Sequence, residues 1–107
     1  MESQVEQVTA ALPDAGAFKM WTYGAKRNSQ LLMFRRMTVT EAQALRYGGH
    51  IWFVATDGTA RLCKVNGAVK RWKRQPERFR VPVKYGMYEC SHFENADLPR
   101  MLAVVTA

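Results

Sequence analysis

Two turn dipeptides, Asp57-Gly58 and Asn66-Gly67, stand nine residues apart in HIWFVATDGTARLCKVNGAVKRWKR and constrain this chain more than any other feature. Each favours a two-residue hairpin loop whose backbone twist matches that of the strands it joins. A three-strand antiparallel meander from His50 to Arg74 is therefore expected. Beyond it, Gln75 to Glu77, with Pro76, reads as a corner. RFRVPVKY then alternates, so that Phe79, Val81, Val83 and Tyr85 point one way and Arg78, Arg80, Pro82 and Lys84 the other. Pro82 has no N–H to give to a ladder, which places its strand at an edge or at a bulge.

The flanking segments are less sharply written. Residues 1–17 read as an N-terminal helix, with Val5, Val8 and Leu12 on one side, or as a tail, and residues 18–107 as a single β-rich domain. Phe18 to Tyr23 is aromatic and extended, and Leu31 to Met37 is its returning strand or a helix. Thr40 to Gln43 has the form of a capping box, which predicts a short helix through about Tyr47, stopped by Gly48 and Gly49. Met87 to Phe93 is a candidate last strand. Asp97 is placed to cap a terminal helical turn through Leu98, Arg100, Met101 and Leu102, with Pro99 tolerated in the first turn.

A chain of 107 residues is the size of one domain with one core. The expected class is α+β: a small twisted antiparallel sheet, or a partly open barrel, with one or two short helices. The succession of short strands and tight turns resembles SH3-like and OB-like barrels, a likeness of architecture that implies no particular role. No apolar run reaches the roughly 20 residues that span a bilayer, and MESQVEQVTAA lacks the basic and apolar regions of a signal peptide, so no membrane association and a cytoplasmic location are expected. Cys63 and Cys90 fit that compartment as reduced thiols.

Charge is concentrated in the same region as the turns. Arg61, Lys64, Lys70, Arg71, Lys73, Arg74, Arg78, Arg80 and Lys84 are nine of the 16 basic residues, and only Glu77 opposes them between positions 61 and 84. Such a field raises the local concentration of phosphate backbones, whatever their sequence. With two-residue loops, Trp52 faces Cys63, Val54 faces Arg61, and Arg61 faces Trp72. One face then carries His50, Trp52, Val54, Arg61, Cys63, Lys70, Trp72 and Arg74; the other is apolar at Ile51, Phe53, Leu62 and Val69.

If the first face looks outward, cations lie between two indoles, an arrangement suited to single-stranded nucleic acid, and Arg61 is close enough to Trp72 for a cation–π contact. If it packs under the capped helix or the N-terminal hairpin, both tryptophans are core residues. The functional expectation is a small basic nucleic-acid-binding protein without enzymatic activity, DNA or RNA being read through backbone and shape. Its contacts would be Arg61, Lys70, Lys73, Arg74, Arg78, Arg80 and Lys84 on phosphates and Trp52 and Trp72 as stacking platforms. The alternative is a protein-interaction module or inhibitor docking on an acidic partner, and an edge near Pro82 would allow a homodimer.

Catalytic and metal chemistry finds little support. His50, Cys63, Cys90 and His92 do not have zinc-finger or zinc-ribbon spacing. The acids offer no pair spaced for magnesium or for acid–base work, and no GxxxxGK[ST] loop occurs. No cofactor is expected.

Overall fold

The computed structural model describes residues 16–23, 29–85 and 89–105. They form strands β1 (Phe18–Trp21), β2 (Leu31–Arg36), β3 (His50–Val54), β4 (Ala60–Val65), β5 (Lys70–Trp72), β6 (Gln75–Tyr85), β7 (Glu89–Glu94) and β8 (Met101–Val104). Between β2 and β3 lies helix α1 (Val39–Gln43), and a 3-10 helix (Asn95–Arg100) leads into β8. The strands make one open antiparallel sheet in the order β1-β2-β8-β3-β4-β6-β5, with β7 also on β6. Lys84 pairs with Lys64 of β4 and with Cys90 of β7, so these two strands flank β6 on opposite edges. None of the described helices is long and apolar enough to cross a membrane.

The sheet buries side chains on both faces. Ile51, Phe53, Cys63, Val65, Phe79, Val81, Val83, Phe93 and Met101 form the main cluster, covered by Ala42 of α1 and Leu98 of the 3-10 helix. On the other face Met20, Phe34, Val54, Ala60 and Leu102 form a second cluster, with Trp52 packed against it. Strand β3 contributes to both, and so does β8, through Met101 and Leu102. The curl that allows this brings the end of β1 back to the start of β4, where the Tyr23 N–H donates to the Ala60 carbonyl at 2.8 Å.

Helix α1 begins two residues earlier than the Thr40 box implies. The Thr38 hydroxyl accepts from the Glu41 N–H at 3.2 Å, and the Glu41 carboxylate accepts from the Thr38 N–H at 3.1 Å. Glu41 wins the role because Arg35 holds it as well, through two bonds of 2.6 Å. The helix ends at Gln43, whose side chain donates to the Pro76 carbonyl at 2.7 Å and ties α1 to β6. Gly48 follows at φ +87°, a left-handed conformation that glycine adopts without steric cost.

Several expectations give way to longer-range constraints. The Asp57-Gly58 hairpin closes between Ala55 and Thr59, whose backbones bond at 2.9 Å, and Gly58 takes φ +83°. This is a three-residue loop with a left-handed third residue rather than a two-residue loop. The register therefore moves by one, placing Cys63 opposite Ile51, Leu62 opposite Trp52 and Arg61 opposite Phe53. A one-residue slip sends every side chain of β4 to the other face. Cys63 is consequently buried, whereas Leu62 is 47% exposed.

At Asn66-Gly67 there is no hairpin. Strands β4 and β5 lie in succession along one edge of β6, and residues 66–69 form the irregularity between them. The Asn66 N–H donates to the Pro82 carbonyl at 2.8 Å, so the side of Pro82 that lacks an N–H faces this interruption. Pro82 thus sits opposite a bulge, as one of the two expected arrangements requires, and not at a sheet edge. The homodimer drawn through an edge at Pro82 loses that edge. The corner expected at Gln75 to Glu77 lies instead at Lys73-Arg74, because Trp72 pairs with Gln75.

The C-terminal helical turn is also revised. Asp97 accepts from the Glu94 N–H at 2.9 Å inside the 3-10 helix, but Met101 and Leu102 belong to β8, inserted between β2 and β3. The alternation in β6 stands: Phe79, Val81 and Val83 are fully buried and the side chains between them face out. The first strand pair stands too, β1 with β2 antiparallel. The N-terminal helix or tail lies outside the described residues.

Candidate functional site

The outer face of β4, β5, β6 and β7, turned away from the main cluster, carries cations in cross-strand rows. Lys64 of β4 is directly opposite Lys84 of β6, and Lys70 of β5 is directly opposite Arg80 of β6. Directly opposed residues share a face with Cβ atoms roughly 5 Å apart. The second row ends in Glu94 of β7, the partner of Arg80, whose carboxylate meets that guanidinium at 2.6 Å. Arg80 holds the Glu94 carboxyl below its usual range. The Lys64–Lys84 row has no such carboxylate, and both lysines are exposed.

At the β5–β6 end, Trp72 organises Lys70 and one further cation, Arg78. The Arg78 guanidinium lies 3.9 Å from the centre of its ring and the Lys70 ammonium 4.8 Å. A cation over an indole face is attracted by the ring quadrupole, which here fixes the heads of two flexible side chains. Arg71, Lys73 and Arg74 are exposed around the turn that joins β5 to β6.

Two of the expected contact residues lie elsewhere. Arg61 does not meet Trp72, because β4 and β5 do not pair; the shifted β3–β4 register puts it opposite Phe53, with its guanidinium 3.9 Å from the Tyr23 ring centre and 3.7 Å from the Asp57 carboxylate. With Arg100 it lines a cavity of about 250 Å³ at the end of the main cluster. Trp52 is half-buried in the second cluster, edge-on to Phe34 with ring centres 5.4 Å apart. Of the two packings open to it, Trp52 thus takes the one against the N-terminal hairpin, while Trp72 is half-buried beneath its cations.

Lys70, Trp72, Lys73, Arg74, Arg78, Arg80 and Lys84 are brought together on one β-hairpin and its extension. Lys64 joins them, although alternation with a two-residue loop assigned it to the core side. The signal that could have found it is the preference of Asp-Gly for three-residue as well as two-residue loops. His50 and Cys63 fall on opposite faces of the β3–β4 pair, so they are not the diagonal neighbours that a shared metal site needs. Among the described residues no group of three or more His, Cys, Asp or Glu is placed to hold a metal ion.

No family model, no curated protein and no solved structure matches the chain.

Proposed function

We propose that this protein binds nucleic acid through the outer face of β4–β7, using cations on the phosphate backbone without base-specific readout. The observation that carries the reading is the pair of opposed cations Lys64 and Lys84. Like charges directly across a sheet destabilise it, and a polyanion laid over the row relieves that repulsion. Lys70, Lys73, Arg74 and Arg78 extend the same surface to the β5–β6 turn. No long helix is available to enter a groove among the described residues, which favours contact with backbone and shape. The curled, open sheet is compatible with an SH3-like or OB-like barrel, and the role proposed is binding rather than catalysis.

The test is a salt-titrated binding measurement with labelled DNA and RNA of random sequence. Binding that weakens linearly in log salt supports the reading. Absence of binding to any nucleic acid at low salt would falsify it.

A second reading rests on a different surface. Trp21 is 56% exposed and directly opposite Leu31, also exposed, and Met33 follows on the same face of the β1–β2 hairpin. This apolar strip at the sheet's edge is a place for a protein partner, and association that survives nuclease treatment and is lost in Trp21→Ser favours it.

A further inference from the structure

We infer that the ligand of this surface is a duplex rather than a single strand, an inference that rests on the nucleic-acid reading above. Sequence-independent recognition of single strands draws roughly 1 to 3 kcal/mol per base from stacking on open aromatic faces. Among the described residues the outer face of β4–β7 presents no indole or phenol ring open to stacking, and the exposed imidazole there, His92 opposite Pro82, lies 3.6 Å from the Glu94 carboxylate. Trp72 is half-buried and already in contact with Arg78 and Lys70. Trp52 is packed on Phe34, and the Tyr23 ring is stacked by Arg61. A nucleic-acid chain laid on this face meets ammonium and guanidinium groups together with Leu62, Pro82 and the single His92 imidazole, and no series of open aromatic faces on which to splay its bases.

The distribution of charge points the same way. From the Lys73-Arg74 turn to Lys84 the strip runs along ten residues of β-structure, about 30 Å at roughly 3.3 Å per residue, near the length of one helical turn of duplex DNA. Over that distance a duplex offers one negative charge per roughly 1.7 Å and a single strand one per roughly 3.4 Å. The platform is also held rigidly: β6 is flanked on both edges, and Trp72 fixes Arg78 and Lys70. A preformed line of cations suits a stiff ligand of high charge density, whereas a flexible strand must be ordered without stacking to offset the entropy lost.

The test compares a 20-bp DNA duplex with each of its component strands, by fluorescence anisotropy between about 50 and 200 mM salt and by tryptophan emission. The duplex is expected to bind at least ten-fold more tightly than either strand, with a log–log salt slope of about −4.5, for roughly five phosphate contacts. Tryptophan quenching by either strand should be absent. Tighter binding of a single strand, with quenching that disappears in Trp72→Phe, would overturn the inference and leave nucleic-acid binding standing. Failure of all three ligands to bind would also overturn the inference, and failure of RNA to bind as well would remove the underlying reading.

Discussion

Lys64 stands directly opposite Lys84 across β4 and β6, with no carboxylate in its row, whereas the row beyond Pro82, from Lys70 through Arg80, ends in Glu94. The surface thus keeps an uncompensated like-charge pair beside a compensated one. Stability alone would favour a carboxylate at one of the two lysines. Lys64→Glu is expected to stabilise the fold by about 0.2 to 1 kcal/mol, read as a shift in urea midpoint with unchanged slope. The same variant should bind nucleic acid at least ten-fold more weakly. A gain in stability with unaltered affinity would take Lys64 out of the interface.

Glu41 carries four bonds that no other carboxylate in the described structure combines: two from Arg35, one from the Thr38 backbone N–H and one from the Thr38 hydroxyl. The Arg35 hydrogen bond, ahead of the capping contacts, holds its carboxyl down at about 2. The folded value lies below the unfolded one, so the stabilisation is fully present above the usual carboxylate range near pH 4.5 and is lost as pH falls toward 2. Because the two side chains are 43% and 35% exposed, solvent screening holds the contribution to about 1 to 2 kcal/mol. Glu41→Gln should lose that amount at pH 7 and flatten the stability curve between pH 5 and 2, which urea melts across pH will measure.

Cys63 is a structural thiol. Its side chain lies in the main cluster, with the sulfur 3.5 Å from the Ile51 carbonyl, and burial pushes its pKa up to about 12. The thiolate is the reactive form, so alkylation at neutral pH must wait for opening of the β3–β4 pair. In a Cys90→Ser background, the rate of modification should rise with urea in step with global unfolding. Rapid labelling of the folded protein would contradict the assigned burial.

What could be read from the sequence follows how local each constraint is. Phe79, Val81 and Val83 were legible because β6 has one buried and one solvated face, which alternation records directly. Strand β3 was legible in both its faces, Ile51 and Phe53 on one side and Trp52 and Val54 on the other, but not in the burial of both, since a second cluster covers Val54. MLAV carries no alternation for the same reason: Met101 and Leu102 enter different clusters, and Pro99 with Asp97 gives the segment a helical look. The basic hairpin survives because Lys70, Lys73, Arg74, Arg78 and Arg80 are close in sequence. The aromatic half of the expected site does not: β4 and β5 follow one another along β6 instead of pairing, which separates Arg61 from Trp72, and Trp52 is packed against Phe34.

Asn66-Gly67 looks locally like a hairpin, and only Pro82 makes it a bulge. A Cβ added at Gly67 would sit 3.0 Å from Pro82 Cγ and 3.7 Å from its Cβ, and Gly67 has no positive φ, so the requirement for glycine is close approach rather than backbone conformation. Gly67→Ala should therefore cost about 1 to 3 kcal/mol, as overpacking does, since β6 is held between β4 and β7 and cannot readily retreat. In a Pro82→Ala background the ring atom that meets the new methyl group is gone, and the cost should fall by at least about 0.5 kcal/mol, a coupling that a double-mutant cycle from urea melts detects. Equal costs in both backgrounds would mean that the glycine serves something other than its contact with the proline.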